Sequence, residues 1–279
     1  MPGTLDPGAY AAWFDTALGQ RVWADEMAVL LDLVGDVAGR RVVDAGCGDG
    51  RLAAVLAGGG ARVVGVDLDP DMLRAAQSRR AAGDGHLHLI RADIERLPLA
   101  SESADVVVAV TTLCRVADPV AAVRELGCVL RPGGRLVLGE LGRWSVWAAG
   151  RRLRALLHGG PWASARFWTK PALIRLLQDA GFSPAATRGA VFYPRSEWLA
   201  CLFEPLDRTL GTHTTIGAAF IAVLGEKPRS VVAKLVAVKQ RDQHLGAIRR
   251  ECGDHGAPVR EPGGIRESRI GPQIEAAAQ

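Results

Sequence analysis

The residues with the plainest chemical purpose are Val42-Val43-Asp44-Ala45-Gly46-Cys47-Gly48-Asp49-Gly50. A β-branched run enters glycines and then a helical stretch, so backbone N–H groups and a helix N-terminus can approach a ligand closely. The spacing discriminates among ligands. A dinucleotide fingerprint, G-x-G-x-x-G, needs glycine where this chain has Arg51. The pattern is instead D-x-G-x-G-x-G, with Asp44 at the strand end. Two further acids follow. Asp67 closes V-V-G-V-D, where a carboxylate can take both hydroxyls of a ribose. Asp93, in Arg91-Ala92-Asp93-Ile94, stands beside an apolar residue, a pairing able to hold an amino-purine. Singly, Asp67 also reads as a helix cap and Asp93 as the start of a turn. Jointly, three acids ending three consecutive strands face the crevice where open α/β sheets bind ligands.

Alternating elements must position them. Residues 9–34 carry apolar residues at helical spacing (Trp13, Leu18, Val22, Met27, Leu30, Leu31, Val34), which predicts one or two helices before the first strand. Strands are expected at 41–45, 62–67, 86–91, 104–110 and 134–140, and helices at 51–57, 70–82 and 120–130. After a pause the pattern resumes with a helix at 171–180 and strand-like runs at 190–193 and 218–224. The nearly continuous apolar runs at 62–67 and 104–110 suit strands buried on both faces. Strands alternating with helices imply crossover connections and a mostly parallel sheet covered on both sides. The expected organisation is a domain over 1–228 and a C-terminal extension over 229–279. The last thirty or so residues, rich in Gly, Pro and charge, read as disordered.

These motifs resemble class I S-adenosylmethionine-dependent methyltransferases, in the broad type 11 (ubiquinone/menaquinone-methyltransferase-like) group. The likeness runs from about Tyr10 to Pro228 through VVDAGCGDG, VVGVDLDPDML, RADIERLPL, SADVVVAVTTL, LRPGGRLVLGEL and TKPALIRLLQDAGF. It implies a Rossmann-like sheet of seven strands, the last antiparallel, with S-adenosylmethionine as cofactor. It places Asp44, Gly46, Cys47, Gly48 and Gly50 at the methionine moiety and Asp67 at the ribose. Leu68 and Met72 would pack near the adenine, Asp93 and Ile94 would hold it, and Thr111 joins the set at the fourth strand's end. The opening Y-A-A-W-F-D-T-A-L-G resembles the lid helix of some members, which makes Tyr10 and Trp13 candidates to close over the site. One departure is Asp49, where many members carry Thr or Ser; an extra carboxylate there could favour the ligand's ammonium.

Methyl transfer from a sulfonium is an in-line displacement on an already activated electrophile, so proximity and orientation supply much of the acceleration. A base is needed only if the acceptor must lose a proton. His213, in G-T-H-T-T, is a pocket candidate; Tyr193 and Thr111 are no stronger. The chain lacks the Asp/Asn-Pro-Pro-Tyr signature of amino-methylating enzymes and any cysteine pair suited to arsenic. Substrate choice is expected in the insertion at 143–168, which holds four of the seven tryptophans (Trp144, Trp147, Trp162, Trp168). On a helical wheel Val146, Ala149, Leu153, Leu156 and Leu157 share one face, expected to lie on the core. Trp144, Trp147, Arg151 and Arg154 share the other. That face reads as solvated, as a lid over an anionic or aromatic acceptor, or as a transient contact with anionic lipid headgroups.

Composition bounds these readings. The chain has 279 residues, 48% hydrophobic and 23% charged, which is globular composition. Net charge is only +4, yet residues 141–178 hold seven basic and no acidic residues. A whole-protein polycation is excluded, and no nucleic-acid partner is expected. No apolar run reaches bilayer length and no secretory signal is visible. Five scattered cysteines fit reduced thiols in a cytoplasmic compartment, with no metal site expected. The expected activity is methyl transfer to a small-molecule acceptor, quinone-like or lipid-like, with the oligomeric state open. The rivals are a methyltransferase acting on an amine or protein, a non-catalytic cofactor-binding regulator, and a nucleotide-sugar or NAD enzyme, which Arg51 disfavours.

Overall fold

In a computed structural model the described residues are 7–79, 86–160, 162 and 164–229. The elements run α1 (Pro7–Asp15), α2 (Ala17–Val34), β1 (Arg41–Ala45), α3 (Arg51–Gly58), β2 (Arg62–Asp67), α4 (Pro70–Ser78), β3 (Leu87–Arg91) and β4 (Ala104–Val110). They continue with α5 (Pro119–Val129), β5 (Leu130–Leu141), α6 (Val146–His158), α7 (Lys170–Asp179), β6 (Ser183–Ala190), α8 (Glu197–His213) and β7 (Phe220–Glu226). One seven-stranded sheet has the order β3-β2-β1-β4-β5-β7-β6. β1 to β5 are parallel, and β7 runs antiparallel between β5 and β6. After β3 the chain crosses back to lay β4 on the other side of β1, so the ends of β1 and β4 open a crevice with the tip of β2 beside it, where a ligand can reach several strand tips.

Two apolar layers hold the sheet between helices. Val42, Val63, Val106, Val108 and Val137 face α2 and α3. Val43, Val66, Val107, Leu136 and Leu138 face α5 and α7. Alternate residues of one strand thus enter opposite layers, the period-two consequence of the pleat. Side chains fix most helix starts. Thr16, Asp69, Asp118, Ser145 and Thr169 accept hydrogen bonds from amides in the first turns of α2, α4, α5, α6 and α7. Each such cap is worth about 1 kcal/mol. α3 differs: Gly50 precedes it in the left-handed conformation, with no side-chain cap.

The expected elements are found up to β5, most with shifts of a residue or two, but β5, expected from 134, starts at Leu130. The helix expected over 70–82 ends at Ser78, and 80–85 lie outside the described residues. The strand expected at 190–193 is misplaced. β6 covers Ser183–Ala190, and Val191 leaves it with φ at +62°. The sequence SPAATRGA hides that strand because it pairs on one side only, with β7, and has no buried stripe until its last residues. The helix α8 had no counterpart in the sequence reading. The disorder expected for the chain's last thirty residues, and all but the first position of the 229–279 extension, lie outside the described residues.

Candidate functional site

Three glycines of the loop after β1 have positive φ: Gly46 (+78°), Gly48 (+54°) and Gly50 (+77°). Their reasons differ. A Cβ on Gly46 would collide with Thr112, and one on Gly50 would come within 2.7 Å of the Ala76 Cβ. These two glycines serve packing. A Cβ on Gly48 would meet nothing within 4 Å, so the space beside it is free for a ligand.

Asp67 anchors this loop. Its Oδ2 accepts from the Gly48 amide at 2.8 Å and its Oδ1 from the Asp69 amide at 2.9 Å. Each carboxylate oxygen accepts more than one hydrogen bond, so ribose hydroxyls remain within its capacity. Asp44 is buried under the start of α3, and its Oδ2 has no partner among the described residues. Burial, followed by the charge of Asp67, pushes its carboxyl up to about 7. A buried, half-unpaired carboxyl beside an open glycine fits a cationic ligand group such as the ammonium of S-adenosylmethionine. Leu68 is exposed and Met72 buried, and exposed Asp93 precedes buried Ile94. Asp93 Oδ1 accepts from the Glu95 amide at 2.9 Å. Thr111 is strained at φ +49°, and its carbonyl accepts from the Cys114 thiol at 3.1 Å.

Asp49 does not take the role expected of an extra carboxylate. Its Oδ2 is held by Arg51 Nε at 3.0 Å and Arg79 Nη2 at 2.7 Å, which neutralise it. It staples the loop to the end of α4. Cys47 is buried and its thiol is raised well above the ordinary range by burial. That state suits packing and opposes reactivity.

Above the crevice lies an aromatic roof. Arg51 lies over the Phe14 ring at 4.7 Å, and Phe14 meets Tyr10 at 5.0 Å and Trp23 at 5.6 Å. Trp13 meets Trp147 edge-on at 6.0 Å, and Arg195 covers both, at 5.3 and 4.8 Å. Arg151 lies over Trp147 at 5.5 Å and Trp162 at 4.5 Å, and its Nε–H has no acceptor among the described residues. Glu26 of α2 stands within electrostatic reach of Arg151 and Tyr10. Burial raises the Glu26 carboxyl to about 7, although Arg151 opposes the shift.

The structure therefore joins Tyr10, Trp13 and Arg151 and leaves out three other candidates. Trp144 and Arg154 are exposed, and His213 is exposed at the end of α8 with none of the roof's ring contacts. The wheel of α6 is also reversed. Trp147 is buried and donates Nε1–H to the Tyr193 carbonyl at 2.7 Å, whereas Val146, Leu153, Leu156 and Leu157 face solvent. Indole burial with a satisfied N–H, and a guanidinium seated on two rings, set this orientation. Tyr193, weighed as a base, is buried and donates to Asp25 at 2.7 Å. Residues the sequence reading missed are Glu26, Arg195 and Glu140. Buried Glu140 accepts from the Thr112 and Leu113 amides at 3.1 and 2.7 Å, tying the loop after β4 to β5. Among the described residues no cluster of three or more His, Cys, Asp or Glu could hold a metal ion.

A family profile described as "Methyltransferase domain" matches residues 43–138, the segment from β1 to β5. The ubiquinone biosynthesis O-methyltransferase of Bordetella avium is 31% identical over 173 residues, covering 58% of this chain and 70% of that relative. The chain belongs to the class I S-adenosylmethionine-dependent methyltransferases. An uncharacterized protein of Mycobacterium tuberculosis is 35% identical over 189 residues, 68% of this chain and 62% of its own length. The chain thus spans less than two thirds of that relative. A solved S-adenosylmethionine-dependent methyltransferase from Thermotoga maritima shares the fold, with TM-score 0.62, 24% identity and coverage of 79% and 95% of the two chains. In this chain the open glycine, the half-unpaired Asp44 and the Asp67 anchor fit a ligand that carries an ammonium and a ribose.

Proposed function

We propose that the chain transfers a methyl group from S-adenosylmethionine to a hydroxyl on a small planar acceptor of phenol or quinol type. The observation that carries this reading is the roof: Trp13, Trp147 and Trp162 with Arg151 seated on two of them and its Nε–H unpaired. Rings and a spare cationic donor suit a flat molecule that develops negative charge on oxygen. The cofactor supplies the activated methyl group. Asp44 would hold its ammonium, Asp67 its ribose, and Leu68, Met72, Asp93 and Ile94 its adenine. Tyr10 and Trp13 of α1 would exclude water above it. Glu26 would accept the proton from the acceptor hydroxyl, and Arg151 would stabilise the oxygen as that proton leaves. A carboxyl titrating near 7 is suited to this task at neutral pH. The ubiquinone-biosynthesis name of the Bordetella avium relative agrees with such an acceptor.

The test is turnover of labelled methyl donor against phenol, quinol and amine pools, with calorimetry of S-adenosylhomocysteine alongside. Labelled phenol or quinol ethers, with activity rising through about pH 7, are expected. Methylated amines would overturn the acceptor class. Tight cofactor binding with no product from any pool would turn the reading toward a non-catalytic regulator.

A further inference from the structure

The outward face of α6 has no partner among the described residues. Val146, Leu153, Leu156 and Leu157 are 59%, 59%, 84% and 67% exposed, and Trp144 just before the helix is 64% exposed. At 3.6 residues per turn these aliphatic side chains form one stripe. Arg152 and Arg154 flank it on either side. Arg143 lies over the Trp144 ring at 5.5 Å, a pairing of cation and indole at the helix start. Arg195, on Trp147 at 4.8 Å, brings the start of α8 near α6, and in the first turns of α8 Trp198 and Leu202 are 72% and 58% exposed. Both helices begin beyond the strand ends that carry the candidate site.

We infer that α6, with the first turns of α8, is a docking surface for an anionic lipid bilayer, placed so that an apolar acceptor reaches the roof from the membrane. A helix with an apolar stripe, flanking arginines and an indole at its end lies in the plane of a lipid interface, stripe inward and cations at the headgroups. Charge selects this occupant over two others. The 141–178 segment has seven basic and no acidic residues, so an isologous pair of copies would set arginine against arginine. The chain's own apolar stretch 231–238 contains Lys234 and is flanked by Lys227, Arg229, Lys239 and Arg241 with no acid between them, so its charge does not complement that rim. The inference extends the proposed function by giving the acceptor's route, and its test needs no turnover.

The experiment is co-sedimentation of the full chain with phosphatidylglycerol-containing and pure phosphatidylcholine vesicles, with light scattering in free solution. Wild type is expected to sediment with the anionic vesicles and to be released as salt rises toward 1 M, where the Debye length is about 3 Å. Leu156→Asp with Leu157→Asp should lower the partition at least tenfold while S-adenosylhomocysteine affinity stays within twofold of wild type. Arg152→Gln should weaken it roughly fivefold, the weight of one arginine at such a surface. No sedimentation, equal sedimentation with both vesicles, or a dimer dissolved by the double aspartate variant would each overturn the inference. Acceptor turnover lost while vesicle binding persists would count against the proposed function alone.

Discussion

In the cofactor cradle Asp67 and Glu140 close on backbone amides; in the roof the arginines close on rings. Asp67 binds the Gly48 and Asp69 amides, and Glu140 binds those of Thr112 and Leu113. Arg51, Arg151 and Arg195 lie instead on Phe14, Trp147, Trp162 and Trp13. Hydrogen bonds to amides are directional and hold one geometry, whereas a guanidinium slides over a ring face at small cost. The cradle is built for one ligand held in register. The ring contacts of the roof leave more freedom of position.

The largest break in this contrast should come from Gly48→Val. A β-branched side chain at φ +54° would occupy the free space beside the loop, and S-adenosylhomocysteine affinity should fall more than 100-fold with the fold retained by circular dichroism. Unaltered affinity in calorimetry would remove the loop from the site.

Glu26→Gln should act on the other half only. Turnover should drop by about 10²-fold or more, the rise through pH 7 should vanish, and cofactor affinity should hold. A parallel loss of cofactor binding would show that Glu26 belongs to the cradle.

Asp67→Ala should weaken cofactor binding by roughly 10- to 150-fold, about 1.5–3 kcal/mol for hydrogen bonds to a charged group. It should also lower the melting temperature, because the Gly48 and Asp69 amides lose their acceptor. A loss below threefold would reduce Asp67 to a cap.

Asp44 gives a pH signature. Its carboxyl titrates near 7 in the free protein, and a ligand ammonium prefers the ionised form, so affinity should rise up to tenfold per pH unit below 7 and then level off. Asp44→Asn should flatten that curve. Asp44, Glu26 and Glu140 all titrate above the ordinary carboxylate range, near 7, 7 and 8. Their contribution to ligand-free stability is present below about pH 4 and is lost as pH rises through 7 to 8. Thermal melts from pH 5 to 8 should show that decline.

The smallest effect is expected from Arg195→Ala, which removes an exposed guanidinium from two rings at about 0.5–1 kcal/mol each. Cofactor affinity should not change, and a shift of more than threefold would mean the two halves are mechanically joined.

The cradle was legible in the sequence because its determinants are local. Asp44, the glycines and the start of α3 fall within ten residues, and Asp67 and Asp93 mark strand tips. The roof was legible only in part: Tyr10, Trp13 and the Trp-rich segment with Arg151 stood out, but Arg195 did not, and that positions 13, 147, 162 and 195 meet follows only from the fold. Periodicity showed that α6 has two faces and could not say which one turns inward. Glu26 is a single acid in an amphipathic helix, with nothing local to mark it. Asp49 read as available for a ligand because Arg79, which claims it, lies 30 residues away. The strand β6 was displaced because an edge strand needs only one partner and keeps little alternation.

The indoles divide the molecule optically. Trp13, Trp147 and Trp162 lie beneath or between guanidinium groups, so an acceptor that displaces an arginine changes their emission without any label. Trp144 and Trp198 stand in solvent, open to acrylamide and emitting toward the red. Arrival of an acceptor and arrival at a bilayer would therefore register as two spectral events in one unmodified chain, the first in the emission of the roof and the second a shift of the solvent-exposed fraction to the blue.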